Sequence, residues 1–267
     1  MTFNKLIWAF KRHPYLYITR FKLLSKNSSI NDLSNCNYNV VNKKNDIPSY
    51  FHEVNNIILS DGVPSTDLAF VQKMSIWLQQ NIKGGPGLSV PSETALRIML
   101  AGEGGVCSDM AQIFNNFCVI NEKLVREWGA TRAPFNKSYG GHSFNEVYCI
   151  ELKKWVLVDV SYCLMFYSDT DIPLSVVEVY QLMRSGKQVR YESFSKNVPV
   201  DDSSVGKNYL DDNTVPFLIC NYSNKTYDKY LKIFRPYFPI FMIHFMLFLL
   251  NRSYHYRFPL DDYRKIF

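Results

Sequence analysis

The sequence predicts an α+β fold in which a cysteine at the N-terminus of a helix packs on an antiparallel sheet. Apolar residues that recur at three- and four-residue steps predict helices, most clearly over residues 66–81. Residues 142–150 alternate between two side-chain parities, and residues 155–160 form an apolar run, both of which are typical of strands. The short stretch 151–154 joins these two strands as a hairpin turn.

Length and composition are those of an ordinary globular protein. The 267 residues are many for one compact domain and few for two, so we expect one domain with extensions. Apolar residues make up 47% of the chain and charged residues 20%, which is enough for a substantial core. The aromatic share of 15%, from 18 Tyr and 19 Phe in particular, indicates a packed core or an interface.

Helix boundaries follow from capping residues and glycines. Thr66 offers N-capping chemistry for the helix over 66–81. We expect a short helix or helical turn over 50–61 and a short helix over 92–100. Glycines then break the chain immediately before Cys107, and apolar positions continue beyond it. These positions predict one long helix from Cys107 to a stop at Gly129, so that the cysteine lies at a helix N-terminus.

The cysteines favour a reduced protein. The six are Cys36, Cys107, Cys118, Cys149, Cys163 and Cys220. None forms a C-x-x-C pair, and no His or Cys spacing indicates a metal, so we expect neither a metal nor a cofactor. Charges interrupt each apolar run before Pro14, and no small-residue cleavage site follows, so we expect no signal peptide. A cytoplasmic location is the corresponding expectation.

Cys107 has the setting of a nucleophile. A cysteine attacks carbonyl groups as the thiolate, and the unpaired N–H groups of a helix N-terminus stabilise that anion. The same N–H groups can stabilise a tetrahedral oxyanion. The glycines before it let the backbone turn sharply and leave room for a substrate. A structural cysteine is expected in the middle of a helix, as Cys118 is.

His142 is the candidate base, and Asp159 is the candidate group that orients it. Whether Asp159 reaches His142 depends on the register of the hairpin that joins their strands. Centring the hairpin between residues 151 and 152 places Asp159 opposite Phe144, one diagonal step of ~7–8 Å from His142. Centring it one position later places Asp159 opposite Glu146, too far from His142. The sequence alone leaves both registers open. In the closer one, Asp159 would hold the imidazole in the tautomer that accepts the thiol proton.

Four blocks of sequence resemble the transglutaminase-like superfamily. They are Gly104-Gly-Val-Cys107-Ser-Asp-Met-Ala111, Trp128-Gly-Ala-Thr-Arg132, Gly141-His-Ser-Phe-Asn-Glu-Val147 and Trp155-Val-Leu-Val-Asp159. The resemblance covers about residues 66–165, with the blocks in the family's order. It implies a papain-like α+β core with a Cys-His-Asp triad, carried here by Cys107, His142 and Asp159. Ala101 stands where papain-like relatives often have an oxyanion-binding Gln, so only backbone donors are expected.

This resemblance implies a cysteine-dependent amide hydrolase or acyltransferase that works through a thioester. Its substrate would be a peptide, a protein or a small molecule with an amide. A non-catalytic binding or scaffold module of the same family is the alternative, because the family includes such members.

The chain is expected to divide into three parts. They are a basic, aromatic arm and linker over 1–48, a catalytic domain over 49–194, and an extension over 195–267. Within these, 170–190 predicts a helix and 195–214 an acidic loop.

Two segments raise the question of a membrane. The first 26 residues carry six basic residues and no acid, interleaved with aromatic and aliphatic residues. Residues 236–250 are largely apolar but shorter than the ~20 residues that span a bilayer. Both could hold the protein on a membrane face as peripheral anchors, or could pack on the domain as helices, which we favour. No nucleic-acid motif accompanies the basic arm, so nucleic-acid binding is not expected.

Other residues have structural interpretations. Glu146 shares the strand face of His142 and could touch the site, although a solvent-facing or structural role is favoured. Asp109 is a favourable charge in the first turn of the nucleophile's helix. Trp128 and Trp155 are expected to be core anchors. The remaining histidines, His13, His52, His244 and His255, are expected to be structural or on the surface.

Overall fold

The computed structural model describes residues 14–136, 138–196 and 200–267. The first half of the predicted basic arm, with His13, lies outside the described residues. The described chain is a mixed α/β structure built on a six-stranded mixed sheet. Its helices are α1 (Pro14–Leu24), α2 (Ser49–Ile58), α3 (Asp67–Asn81), α4 (Ser92–Leu100), α5 (Cys107–Ile120), α6 (Val176–Arg184), α7 (Asp202–Val205), α8 (Asn224–Phe234) and α9 (Ile240–Leu249).

The strands of the described residues come from both ends and the middle of the chain. They are β1 (Ser25–Asn27), β2 (Val125–Arg132), β3 (His142–Cys149), β4 (Lys154–Val158), β5 (Leu164–Tyr167), β6 (Arg190–Ser193), β7 (Thr214–Cys220) and β8 (His255–Phe258). The main sheet has the order β1-β8-β7-β2-β3-β4, and β5 pairs with β6 in a small second sheet. The main sheet is mixed, not wholly antiparallel as predicted, because β1 joins β8 in parallel.

The hairpin of β3 and β4 has the closer of the two registers that the sequence leaves open. Asn145 pairs with Val158 and Val147 with Val156, which continues to place Asp159 opposite Phe144. The strands end within two residues of the predicted bounds. This register puts Asp159 on the face of the sheet that His142 shares.

The predicted long helix from Cys107 to Gly129 is wrong in its second half. Helix α5 ends at Ile120, where the Lys123 N–H donates to the Cys118 carbonyl (2.8 Å) and closes the last turn. The chain then enters β2, a strand whose residues are all buried between β3 and β7. A strand that is covered on both faces lacks the alternation that reveals a half-exposed strand, so its apolar residues imitated a helical pattern.

The predicted helices at 50–61, 66–81 and 92–100 are confirmed as α2, α3 and α4. Thr66 caps α3, with its Oγ1 accepting a hydrogen bond from the N–H of Ala69 (3.2 Å). Apolar side chains of α2, α3 and α5 form one core on one face of the sheet. A second core on the other face joins β5 and α6 to the sheet around Trp128 and Phe144.

Several segments that were predicted to be loops or extensions contain helices or strands of the fold. Helix α6 occupies only the middle of the predicted helix 170–190, and the predicted loop 195–214 contains α7 and a following turn to Leu210. Residues beyond 195 supply β7 and β8 to the main sheet. Helices α1 and α9 pack on each other, α1 also contacts β8, and α9 contacts α8. In the described ranges, no helix has both the length and the apolar character to cross a bilayer.

Candidate active site

Two paired loops fix the backbone before Cys107. The N–H of Gly85 donates to the Gly105 carbonyl (2.8 Å), and the N–H of Gly105 donates to the Pro86 carbonyl (2.9 Å). At Gly85 φ is +153°, and a Cβ there would lie 2.9 Å from the Cα of Gly104. Only glycines allow so close an approach of the two backbones. The pairing delivers Cys107 to the N-terminus of α5 in a defined position.

Asp109 secures the same junction. Its Oδ2 accepts hydrogen bonds from the N–H of Val106 (3.0 Å) and of Leu88 (3.2 Å). The first bond caps the N-terminus of α5, and the second ties the preceding loop to it. Burial raises the pKa of the Asp109 carboxyl, although these hydrogen bonds oppose that effect. Asp109 thus has the N-terminal role that the sequence predicts, and it also holds the loop.

The structure brings His142 and Asp159 together. Nε2 of His142 lies 2.6 Å from Oδ2 of Asp159, with side-chain exposures of 4% and 0%. Cys107 and His142 line the same cleft, and His142 is close enough to Cys107 to change the pKa of its thiol. Because Asp159 occupies Nε2, Nδ1 is the ring nitrogen left to exchange a proton with the thiol. All three residues predicted from the sequence therefore meet at one place.

The Asp159 carboxylate has hydrogen-bond donors on both oxygens. Oδ1 accepts from the N–H groups of Ser161 (2.9 Å) and Tyr162 (3.1 Å). Oδ2 accepts from the hydroxyl of Tyr209 (2.7 Å) as well as contacting His142. Tyr209 is a site residue that the sequence analysis missed, because it lies in the segment read as an acidic loop. Its spacing of fifty residues from Asp159 carries no local signal.

Aromatic rings enclose the imidazole of His142. Tyr162 stacks on it with ring centroids 5.4 Å apart and an interplanar angle of 29°. Tyr209 meets it edge to face at 5.5 Å and 81°. These rings restrict the rotation of the imidazole and keep water from its hydrogen bond to Asp159.

Electrostatics favour a thiolate paired with an imidazolium. Burial opposes the charged form of Cys107, but the hydrogen bond and charge of His142, with the N–H of Ser143, lower the pKa of the thiol below its ordinary value. Burial also opposes the charged form of His142, but Asp159 and Cys107 outweigh it and raise the pKa of His142 to about 10. A lowered thiol pKa and a raised imidazole pKa are the shifts that an ion pair produces.

Cys107 and His142 open into a cleft of about 470 Å³. Its walls include Gln79 near the end of α3 and Lys83 just after that helix. Lys207 lines it as well, and no Asp or Glu does so among the described residues. Neither lysine has an acidic partner within salt-bridge distance in that part of the chain. The cleft therefore combines a nucleophile, side-chain amide and hydroxyl groups, and unpaired positive charge.

Glu146 is structural and does not touch the candidate site. It is buried, where it pairs with Arg126 (3.3 Å) and accepts hydrogen bonds from the indole of Trp128 (3.0 Å) and the N–H of Val176 (3.0 Å). The solvent-facing interpretation is thus wrong and the structural one is confirmed. Trp128 is fully buried, as expected of a core anchor.

No family model, no curated protein and no solved structure matches the chain. The resemblance to the transglutaminase-like superfamily therefore rests on the four sequence blocks. The geometry of Cys107, His142 and Asp159 is independent of that resemblance, because it comes from the fold of this chain.

Proposed function

We propose that this protein is a cysteine-dependent amide hydrolase or acyltransferase of the transglutaminase-like kind. The observation that carries the proposal is the convergence of Cys107, His142 and Asp159, with the imidazole 2.6 Å from a buried carboxylate and the thiol at a helix N-terminus. The helix that begins with the nucleophile packs on β3, which begins with His142 and pairs antiparallel with β4, the strand that Asp159 follows. This arrangement supports a papain-like core.

The first half of the reaction forms a thioester. The Cys107 thiolate attacks the amide carbonyl carbon, forming a C–S bond while the carbonyl electrons move onto oxygen. Backbone N–H groups in the first turn of α5 stabilise this oxyanion, and the amide of Gln79, which lines the cleft, is a further donor. The tetrahedral intermediate then collapses and the C–N bond breaks, with His142 giving its Nδ1 proton to the departing nitrogen.

The second half releases the acyl group. Water or an amine attacks the thioester carbonyl while neutral His142 accepts its proton at Nδ1. The C–S bond breaks, the thiolate leaves, and the imidazolium–thiolate pair is restored. Asp159 orients the imidazole through Nε2 in both halves and stabilises its positive charge.

The charge of the cleft favours an anionic acyl donor. Lys83 and Lys207 line the cleft, and no carboxylate from the described residues neutralises them there. Such a site attracts substrates that carry a carboxylate near the scissile amide, and the attraction weakens as salt rises. Amides with acidic flanking groups are therefore the first class of substrates to screen.

The proposal is tested by iodoacetamide alkylation over about pH 4–10, the range across which thiols titrate, with mass spectrometry resolving each cysteine. We expect Cys107 to react fast well below the ordinary thiol pKa, and His142→Ala to abolish that low-pH reactivity. Cys36 is an internal reference, because contact with Cys220 lowers its pKa and His142 takes no part in that shift. His52→Ala, on α2, is the matched control variant.

Ordinary titration of Cys107 in both the native protein and His142→Ala would contradict the enzyme proposal. The non-catalytic binding module would then be the better account, since a scaffold has no need of an acidic, accessible thiol. Low-pH reactivity that survives in His142→Ala would also contradict the proposed ion pair.

A further inference from the structure

Helices α1 and α9 together present an apolar surface to solvent, which we name the α1–α9 face. The two helices pack on each other and line an apolar groove of about 580 Å³. Its exposed residues are between 42% and 66% accessible, and they are Leu23, Phe238, Met242, Phe245 and Leu249. A contiguous apolar surface of this kind marks a place of interaction.

The outer side of helix α9 is apolar, unlike that of a helix that faces water. The helix contains no charged residue. Its inner side is buried through Ile243 and Leu247, whereas Phe245 and Leu249, one turn apart, point outward at 54% and 66% exposure. A helix at the surface of a protein in water carries polar residues on its outer side. The outer side of α9 therefore has the composition of a buried surface.

Basic residues lie on the α1–α9 face and beside it. Arg20 lines the groove, and Lys22 on α1 and Arg252 just after α9 are exposed. Between residues 214 and 258 the sequence contains a single acid, Asp228. That carboxylate accepts a hydrogen bond from the N–H of Ser92 (2.7 Å), so it is already engaged within the protein. The charge around the face is complementary to an anionic partner.

We propose that the α1–α9 face binds the interfacial region of an anionic lipid bilayer. The exposed Phe, Met and Leu side chains would enter the boundary between headgroups and acyl chains, and the surrounding Lys and Arg would meet the lipid phosphates and carboxylates. Helix α9 has ten residues and rises ~15 Å, half of a bilayer core, so it lies along the surface. This inference is independent of the proposed catalytic activity.

The basic surroundings distinguish a membrane from a second copy of the chain. A symmetric dimer through this face would bring the same basic surface of both copies together. Like charges at an interface oppose association. An anionic bilayer satisfies both the apolar centre of the face and its basic surroundings.

The test is cosedimentation of the full chain with two kinds of vesicle, phosphatidylcholine alone and phosphatidylcholine with about 30% phosphatidylserine. We expect binding to the anionic vesicles, weakened by salt, and little binding to the neutral ones. Phe245→Gln with Leu249→Gln should reduce the partition coefficient by about tenfold or more, because both side chains lose their apolar burial in the membrane. Ile57→Gln with Ile150→Gln is the matched control, since these residues are 62% and 69% exposed elsewhere.

Thermal unfolding of both double variants verifies that they remain folded, as expected of substitutions at exposed positions. Absence of binding by the native chain to anionic vesicles would overturn the proposal. Equal binding by the Phe245→Gln, Leu249→Gln variant and the native chain would overturn it too. A native dimer that this variant converts to a monomer, without vesicle binding by either, would assign the face to a second copy instead.

Discussion

At the scale of single residues, the candidate site is organised around the buried carboxylate of Asp159. Its oxygens contact two backbone N–H groups, the Tyr209 hydroxyl and the His142 imidazole. A buried polar group is costly unless it is hydrogen-bonded, and both oxygens of this carboxyl group have partners. Its charge raises the pKa of His142, and His142 in turn lowers the pKa of the Cys107 thiol. The charged states of His142 and Cys107 therefore depend on each other.

Asp159→Asn is predicted to lower the pKa of His142 from about 10, because it removes the negative charge whose attraction offsets burial. Amide turnover should fall by roughly 10²–10⁴-fold, since the imidazole loses both its orientation and its charge stabilisation. NMR titration of the His142 ring measures the pKa. Tyr209→Phe is the matched control, because it removes one hydrogen bond but keeps the carboxylate. An unchanged His142 pKa in Asp159→Asn would refute this account.

The buried Glu127, which accepts a hydrogen bond from Asn115 of α5, predicts how the free energy of unfolding depends on pH. Burial raises its pKa to about 8, although the side-chain N–H of Asn115 (3.0 Å) opposes the shift. Between pH 4.5 and 8 the unfolded chain loses this proton while the folded chain keeps it. The free energy of unfolding therefore falls as pH rises through that window, by up to about 1.4 kcal/mol per pH unit.

Glu127→Gln is consequently predicted to remove this pH dependence. Relative to the native protein, the variant should gain stability steadily from pH 5 to pH 8, as measured by urea unfolding at several pH values. Glu122→Gln is the control, because the side chain of Glu122 is 79% exposed. Parallel stability curves for the native protein and Glu127→Gln would show that Glu127 is ionised in the folded chain.

At the scale of elements, the sequence predicts those helices and strands whose signals lie within a few residues of one another. The helices α3 and α4 and the hairpin of β3 and β4 were predicted because capping, amphipathic spacing and alternation lie within a few residues. Strand β2 was missed because its complete burial depends on its place inside the sheet, beside β7, which lies more than eighty residues later in the chain. Tyr209 was missed for the same reason, since only the fold brings it to Asp159. Cys107, His142 and Asp159 were found because each ends or begins an element with a recognisable signal.

Gly129 links β2 to β7 and gives a prediction for this pair. A Cβ at Gly129 would lie 2.4 Å from an atom of the Phe217 ring, which packs over the glycine. Gly129→Ala is therefore predicted to destabilise the protein by about 1–3 kcal/mol, the usual range for overpacking. Chemical denaturation measures the free energy of unfolding.

A double-mutant cycle with Phe217→Leu isolates the contact. The smaller side chain makes room for the new methyl group, so Gly129→Ala should cost less in the Phe217→Leu background than in the native one. Gly140→Ala is the control, since a Cβ there has no heavy atom within 4 Å. Equal costs in the two backgrounds would mean that the ring does not determine the need for glycine.

At the scale of the whole molecule, the main sheet joins distant parts of the chain. Strand β1 comes from residues before 28, β2 to β4 from the middle, and β7 and β8 from residues after 213. The segment 49–194, which the sequence analysis assigns to a catalytic domain, lacks β1, β7 and β8. Without β7, the buried strand β2 becomes an edge whose backbone groups on one side lose their hydrogen-bonding partners.

The isolated segment 49–194 is therefore predicted not to fold cooperatively. It loses the packing of β7 on β2 and the Tyr209 hydroxyl that contacts Asp159, so the low-pH reactivity of Cys107 should disappear with the fold. Urea unfolding followed by circular dichroism, together with iodoacetamide alkylation, measures both properties. The chain 14–267 is the control, because it retains each described helix and strand. Cooperative unfolding of 49–194 with a reactive Cys107 would establish that segment as an autonomous domain, with the rest of the sheet as an addition to it.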